Sequence, residues 1–327
     1  MYNLSYNNLN LLRGIAAYGV AICHYFYYIN GIDFFQTISS LFVEFFFVLS
    51  GFVLTPQLIK VHKNNKLLFN FYLRRWMRTI PAYLIALISF SILFNKFDLD
   101  FLKYLFLIQN FIENFLTSDY FFIAWSLSIE EYFYLAFPIA LIIFNKQSIQ
   151  KICIVFIIFF LLAKILTVIL TEINHEAFRT NTFLRLDSIV LGVLVRIYLD
   201  NIKKIILFFI PLTLYLLFSF ILNIQNLEKL EMVYLIYIYQ LCSATILILF
   251  ISFEKFTTNI NVQKIFRILA NQAYSVYLFH MLIIYSMKSS NFDILNNFYF
   301  YLFILFIFTI SFYQYIEKPI NLLRPKV

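Results

Sequence analysis

The chain has 327 residues, of which 62% are apolar, 21% aromatic and only 13% charged, with a formal net charge of +8. Soluble domains carry far more charge, and five glycines and six prolines leave nothing that resembles a linker, so the composition points to one polytopic helical membrane domain spanning residues 1–327. The positive balance does not imply nucleic acid, because Lys and Arg fall in alternate loops; Cys23, Cys153 and Cys242 lie singly in apolar stretches and offer neither a disulfide framework nor metal-ligand spacing.

Runs of about 17–25 apolar residues predict an all-α chain with about ten transmembrane helices, at roughly 9–29, 39–57, 79–95, 121–144, 151–171, 183–199, 203–223, 232–252, 268–288 and 297–316. The first is not a cleavable signal, since no basic segment precedes it and no small-residue cleavage site follows. Residues 100–116, interrupted by Asp100, Lys103, Gln109 and Asn110, are too polar to span and are expected to lie at the interface or re-enter. Alternate loops hold most of the basic residues, beginning with Lys60, Lys63, Lys66, Arg74, Arg75 and Arg78, while the opposite loops hold most of the acids, so both termini are expected in the cytoplasm.

Span one carries Arg13 and His24, eleven residues apart on one face. That spacing is close to three turns, or roughly 16 Å along the axis. Ionisable groups inside a span are functional candidates by default, although Arg13 snorkelling to the interface and a satisfied core His24 would also account for them. With span one running outward, His24, Glu44 of span two, Glu130 and Glu131 in Trp125-Ser126-Leu-Ser128-Ile-Glu130-Glu131, Arg185 and Asp187 of span six, and His280 in Tyr274-Ser275-Val-Tyr277-Leu-Phe-His280 all fall in the outer half. A salt-bridge network holding helices together explains any one of these charges more easily than all of them beside two histidines. On the cytoplasmic side, Arg74 and Arg78 share a helical face near Arg75, Trp76 and Tyr83, a pattern that suits either a phosphate grip or an ordinary interfacial anchor.

Seven segments in order resemble the membrane-bound acyltransferase type-three family, integral acyltransferases that modify cell-surface glycans. They are Arg13-Gly14 with His24; Glu44 through Ser50-Gly51-Phe52; Arg74-Arg75-x-x-Arg78-x-x-Pro81; Trp125 through Tyr134; Arg185-Leu-Asp187 with Gly192; Tyr274-Ser275-x-Tyr277-Leu-x-His280; and Ile316-Glu317-Lys318-Pro319. Glu44 stands where the family more often has Asp, and the esterase-like extracytoplasmic domain of many relatives is not expected here.

The resemblance implies transfer of an acyl group, most simply acetyl, from cytoplasmic acyl-coenzyme A to a hydroxyl of a surface or lipid-linked glycan, in a bacterial cell membrane and without a metal. Membrane lipid is the surrounding partner and nucleic acid is not one. Arg13, Arg74, Arg75, Arg78, Trp76 and Tyr83 are then the expected donor contacts. His24 is the expected general base, Glu130 or Glu131 its orienting carboxylate, and Arg185 or Tyr277 the oxyanion donor. His280 is a second acid/base or an acceptor contact. Glu44, Ser50, Trp125, Ser126, Ser128, Asp187, Tyr274 and Glu317 are further site candidates, and direct transfer is favoured over a covalent route through Ser50, Ser128 or Cys23. The competing hypothesis is a transporter that uses the intramembrane His, Glu and Arg as a proton relay.

Overall fold

The computed structural model describes residues 7–111, 116–202, 229–252, 260–289 and 297–327, and among these all regular structure is helical. In chain order the helices are α1 (Asn7–Asn30), α2 (Phe34–Lys63), α3 (Leu68–Phe94), α4 (Leu99–Leu105), α5 (Trp125–Ile143), α6 (Ile149–Leu170), α7 (His175–Thr180), α8 (Leu186–Ile202), α9 (Lys229–Ser252), α10 (Ile260–Lys288), α11 (Phe298–Phe312) and α12 (Lys318–Leu322), with a π-helical turn, Tyr313–Glu317, between the last two.

Seven helices among the described residues are long and apolar enough to cross a membrane, against the ten expected. The predicted span at 203–223 lies outside the described residues. Helix α8 is 17 residues long, short for a span, and α1 is long enough but diluted by Asn7, Asn8, Asn10, Arg13 and His24. The polar residues that single out α1 are what lower its apolar character. The polar stretch after residue 98 forms only the seven-residue α4, too short to cross.

Helix α1 is packed along α10 and α2, and α2 in turn lies on α8. Its small residues Gly14, Ala16, Ala17 and Ala21 are buried, which lets neighbouring backbones approach. Helices α2 and α8 approach closely. A Cβ added at Gly51 would sit 1.8 Å from the Ile189 carbonyl oxygen, and one at Gly192 would sit 1.9 Å from that of Val48. The two glycines face each other's helices, so each is required by the other's backbone.

Polar bonds tie the apolar bundle together. Gln272 Oε1 accepts from Tyr18 (2.9 Å) and Thr309 (3.0 Å), and the Tyr301 hydroxyl donates to the Ala21 carbonyl at 3.1 Å, joining α1, α10 and α11. Ser275 donates to Glu317 at 2.5 Å, so the π-helical turn is fastened to α10. Two ion pairs are fully enclosed: Lys164 with Asp187 at 2.5 Å, and Arg185 with Glu44. Charges removed from water in this way persist only when partnered.

Candidate active site

Two cavities lie along α1, one at its Arg13 end and one at its His24 end. The arginine cavity has a volume of about 750 Å³ including its open mouth, and its polar lining is Arg13, Ser50, Arg75, Arg78, Glu130 and Tyr274. The histidine cavity, about 790 Å³, is lined by His24, Tyr28, Asp119, Trp125, Glu176 and Arg179. Tyr277 borders both. Its hydroxyl accepts from Ser126 at 2.6 Å and donates to the Ile123 carbonyl at 3.0 Å, which fixes the ring as the partition between them.

Three guanidinium groups converge on the first cavity. Arg75 Nη2 donates to Gln57 at 3.2 Å, while Arg13 and Arg78 line the wall. Glu130, the single carboxylate there, accepts from Ser50 (2.9 Å) and Tyr134 (2.8 Å). Three cations against one anion make this a site for a ligand with more than one negative charge, and guanidinium forks match phosphate oxygens. Arg74 is directed elsewhere, donating to the Pro325 carbonyl at 2.8 Å. Close by, the Arg324 guanidinium is held down to about 10 by burial and by the charges of Arg78 and Arg74. Two more expected donor contacts are not at the cavity. Trp76 is 40% exposed and stacked on Tyr72, and Tyr83 is buried with its hydroxyl bonded to the Tyr104 carbonyl at 2.7 Å. The positions facing the cavity are thus i and i+3 (Arg75, Arg78), whereas the i,i+4 pair of Arg74 and Arg78 was the sequence expectation.

At the other end, His24 Nδ1 lies 2.8 Å from His280 Nε2, with the rings stacked at 5.0 Å. His280 Nδ1 faces the carbonyls of Tyr277 (2.8 Å) and Val276 (3.1 Å). Carbonyls only accept, so these contacts assign the His280 proton to Nδ1 and leave Nε2 as an acceptor. His24 therefore donates from Nδ1, and its Nε2 carries the lone pair. The expected orienting carboxylate is not there: Glu130 is in the arginine cavity, and Glu131 is buried and lines neither cavity. The second imidazole holds the first.

Arg185 is likewise not in a cavity. It is 2% exposed, bonded to Glu44 through Nη2 and to the Arg179 carbonyl through Nη1 at 3.0 Å. The cation that reaches the histidine cavity is Arg179, which the sequence pattern did not single out. It is ion-paired to Glu176 at 2.5 Å and sits 4.9 Å from the Trp125 ring centre. Burial raises the Glu176 carboxyl, but the charge and hydrogen bond of Arg179, with the nearby His175, together outweigh it and the net direction is down. Asp119, across the cavity, is pushed up by burial and by Glu176 and Asp100, against a hydrogen bond from Tyr104. Asp119, Glu176 and Arg179 all lie in polar loops that read as ordinary extramembrane charge; only their inward orientation distinguishes them.

The remaining candidates are structural neighbours of these sites. Asp187 pairs with Lys164 and accepts from Tyr237 at 2.8 Å, Ser128 accepts from Gln109 at 2.7 Å, and Tyr274 donates to the Thr79 carbonyl at 2.8 Å while lining the arginine cavity. Lys164 sits singly in an apolar run, the same signal that marks Arg13 and His24, and could have been found by it.

The chain is 32% identical over 189 residues to an uncharacterized protein of Haemophilus influenzae, covering 50% of this chain and 77% of that protein. It is 31% identical over 218 residues to O-acetyltransferase OatA of Staphylococcus aureus, covering 59% of this chain and 34% of OatA, so the match spans about a third of that relative's length. No solved structure matches. The family model described as an acyltransferase domain matches residues 6–315, nearly the whole chain, and the protein belongs to this acyltransferase-3 family of membrane proteins.

Proposed function

We propose that this acyltransferase moves an acetyl group from acetyl-coenzyme A, held in the arginine cavity from the cytoplasmic side, to a hydroxyl of a surface or lipid-linked glycan that enters the histidine cavity from outside. The observation that carries this reading is the pair of cavities on opposite sides of Tyr277, one rich in guanidinium groups and the other containing an oriented imidazole. In this mechanism Arg13, Arg75 and Arg78 hold the phosphates of the donor, and the pantetheine arm reaches toward Tyr277 over a span comparable to the roughly 16 Å helix rise between Arg13 and His24. His24 Nε2 takes the proton of the acceptor hydroxyl as its oxygen attacks the thioester carbonyl. The C–S bond then breaks, and the thiolate takes that proton to leave as free coenzyme A. His280 keeps His24 in the required tautomer, as the orienting group does in other acid/base pairs. The Tyr277 hydroxyl, at the partition, donates to the developing oxyanion by exchanging the Ile123 carbonyl for it, while Ser126 donates to the Tyr277 oxygen behind it. An ordinary transporter has no need for the three-arginine cavity, which favours transfer over transport.

The deciding experiment measures acetyl transfer by His24→Ala in cells and acetyl-coenzyme A binding by the purified protein. Loss of the general base is expected to lower transfer by about 10²–10⁴-fold while protein yield and donor binding persist. Transfer at the wild-type rate would remove His24 from the mechanism.

A further inference from the structure

The short helix α7 carries Glu176 and Arg179 into the histidine cavity, and Phe178, fully buried against Val168, Leu184, Val233 and Ile236, seats its apolar side in the bundle. Its N-terminus is capped by the Asn174 side chain, and the following chain is pinned by Asn181 to the Phe111 carbonyl at 3.3 Å and by Thr182 N to the Asn110 carbonyl at 2.9 Å. A further polar anchor comes from inside the bundle. Arg185, enclosed and ion-paired with Glu44, donates to the carbonyl of Arg179 itself. A buried guanidinium spending one nitrogen on a backbone carbonyl sets where the α7 C-terminus lies, and hence where the Arg179 side chain emerges. That side chain lies over Trp125 and lines the cavity shared with His24, and Glu176 takes its Nε (3.2 Å) and Nη2 (2.5 Å) but not its Nη1.

We infer that Arg179 is an acceptor-contacting residue and that Arg185 with Glu44 are positioning residues acting through the Arg179 carbonyl. This rests on the acyl-transfer reading for what fills the cavity. The Arg179–Glu176 pair beside the Trp125 and Tyr28 rings offers a hydroxylated ring charged donors and acceptors at its edge and an aromatic face, the chemistry that grips an uncharged sugar. The buried ion pair would then serve the acceptor side without touching it.

Trp125 gives a readout that does not depend on the acceptor. The chain has two tryptophans, so Trp76→Phe leaves Trp125 as the single indole. In that background, Arg179→Ala and the paired Glu44→Gln/Arg185→Gln variant, which removes both buried charges together, are each expected to raise acrylamide quenching of Trp125 in detergent. In cells that carry each variant as the sole copy, alkali-released acetate from surface glycan is expected to fall about tenfold or more, the scale of one lost charge-assisted hydrogen bond, with acetyl-coenzyme A binding retained. Combining all three substitutions should lower acetate no further than Arg179→Ala alone. If the paired variant does not fold, Arg185→Lys, which keeps a cation for Glu44 but not the fork that reaches Arg179, carries the same expectation. Unchanged quenching in the Arg185 variants, wild-type acetate with Arg179→Ala, or an additive triple variant would overturn the inference. A wild-type protein that neither binds acetyl-coenzyme A nor acetylates glycan would instead overturn the acyl-transfer reading, and the quenching of Trp125 would still decide whether Arg185 places α7.

Discussion

The two cavities are built from the same helices in opposite ways. At the arginine end, the polar side chains project from the long helices α1, α2, α3, α5 and α10 themselves, and three cations are set against one carboxylate. At the histidine end, long helices supply the two imidazoles, but the charged residues Asp119, Glu176 and Arg179 come from connecting segments, with acids outnumbering the single cation. A cavity whose charges ride on packed helices is rigid and suited to one invariant ligand. One whose charges ride on short connections can differ between relatives while the imidazole pair stays in place. On the proposed function, the helix-built end suits the donor and the loop-built end the acceptor.

The harshest way to break the contrast is to spread the helices that wall both cavities. Helix α2 contributes Ser39 and Val43 to one and Ser50 and Val53 to the other, and its position is set by the Gly51–Gly192 contact with α8. Gly51→Ala or Gly192→Ala places a methyl against a backbone carbonyl with no side chain to move aside. We expect destabilisation of at least about 3 kcal/mol, read as loss of monodisperse protein after detergent extraction together with loss of both donor binding and transfer. Normal yield and activity would show that α2 does not need that approach.

A sharper cut separates arginines that face the donor cavity from one that does not. Arg75→Ala with Arg78→Ala should weaken acetyl-coenzyme A binding by about tenfold or more per guanidinium–phosphate contact. Arg74→Ala, which removes a half-buried bond to the Pro325 carbonyl, should leave it within about twofold, since Arg74 does not line the cavity and acts on a bound phosphate only as a more distant, partly solvated charge. Equal losses in a calorimetric titration would mean that the donor lies across the outer arginine surface and not in the cavity.

The smallest effect concerns the segment that presents Asp119. Asp100 accepts from Lys103 Nζ at 2.9 Å and from the backbone N–H groups of Thr117 and Ser118 at 3.0 and 2.8 Å. Burial alone would raise its pKa, but these bonds prevail and hold it down to about 2. A depressed carboxyl contributes stability that is present above its unfolded value near 3.9 and is lost as pH falls through about 2. Asp100→Asn should therefore lower the thermal midpoint at neutral pH by an amount equivalent to roughly 1–2 kcal/mol, and the gap from wild type should close as pH falls from about 4 to about 2. A gap that stays constant across that window would show that the cage does not depend on the charge.

Much of this site is legible before any fold is known, because a membrane penalises buried charge and so makes Arg13, His24, Glu44, Glu130 and His280 conspicuous in apolar runs. Helical periodicity also places Arg13 and His24 on one face of α1, and both line cavities there. Arg179 and Glu176 were hidden by the same logic, since in a polar loop a charge is the expected residue. Arg185 was misplaced for a related reason: its position in an apolar helix marks it as important but does not say whether it meets substrate or Glu44.

What the amino-acid sequence alone determined is the helical membrane class, the family and the short set of ionisable residues that must find partners. These follow from local terms, the transfer cost of each side chain and a period of about 3.6 residues. Only the tertiary structure decided who the partners are. His24 meets His280 across 256 residues of chain, Arg185 meets Glu44 across 141, and Ser126 meets Tyr277 across 151. Pairings at that distance depend on which helices pack side by side and at what rotation. That is set by the summed fit of many weak contacts, such as the mutual approach of Gly51 and Gly192, and no single stretch of sequence contains it.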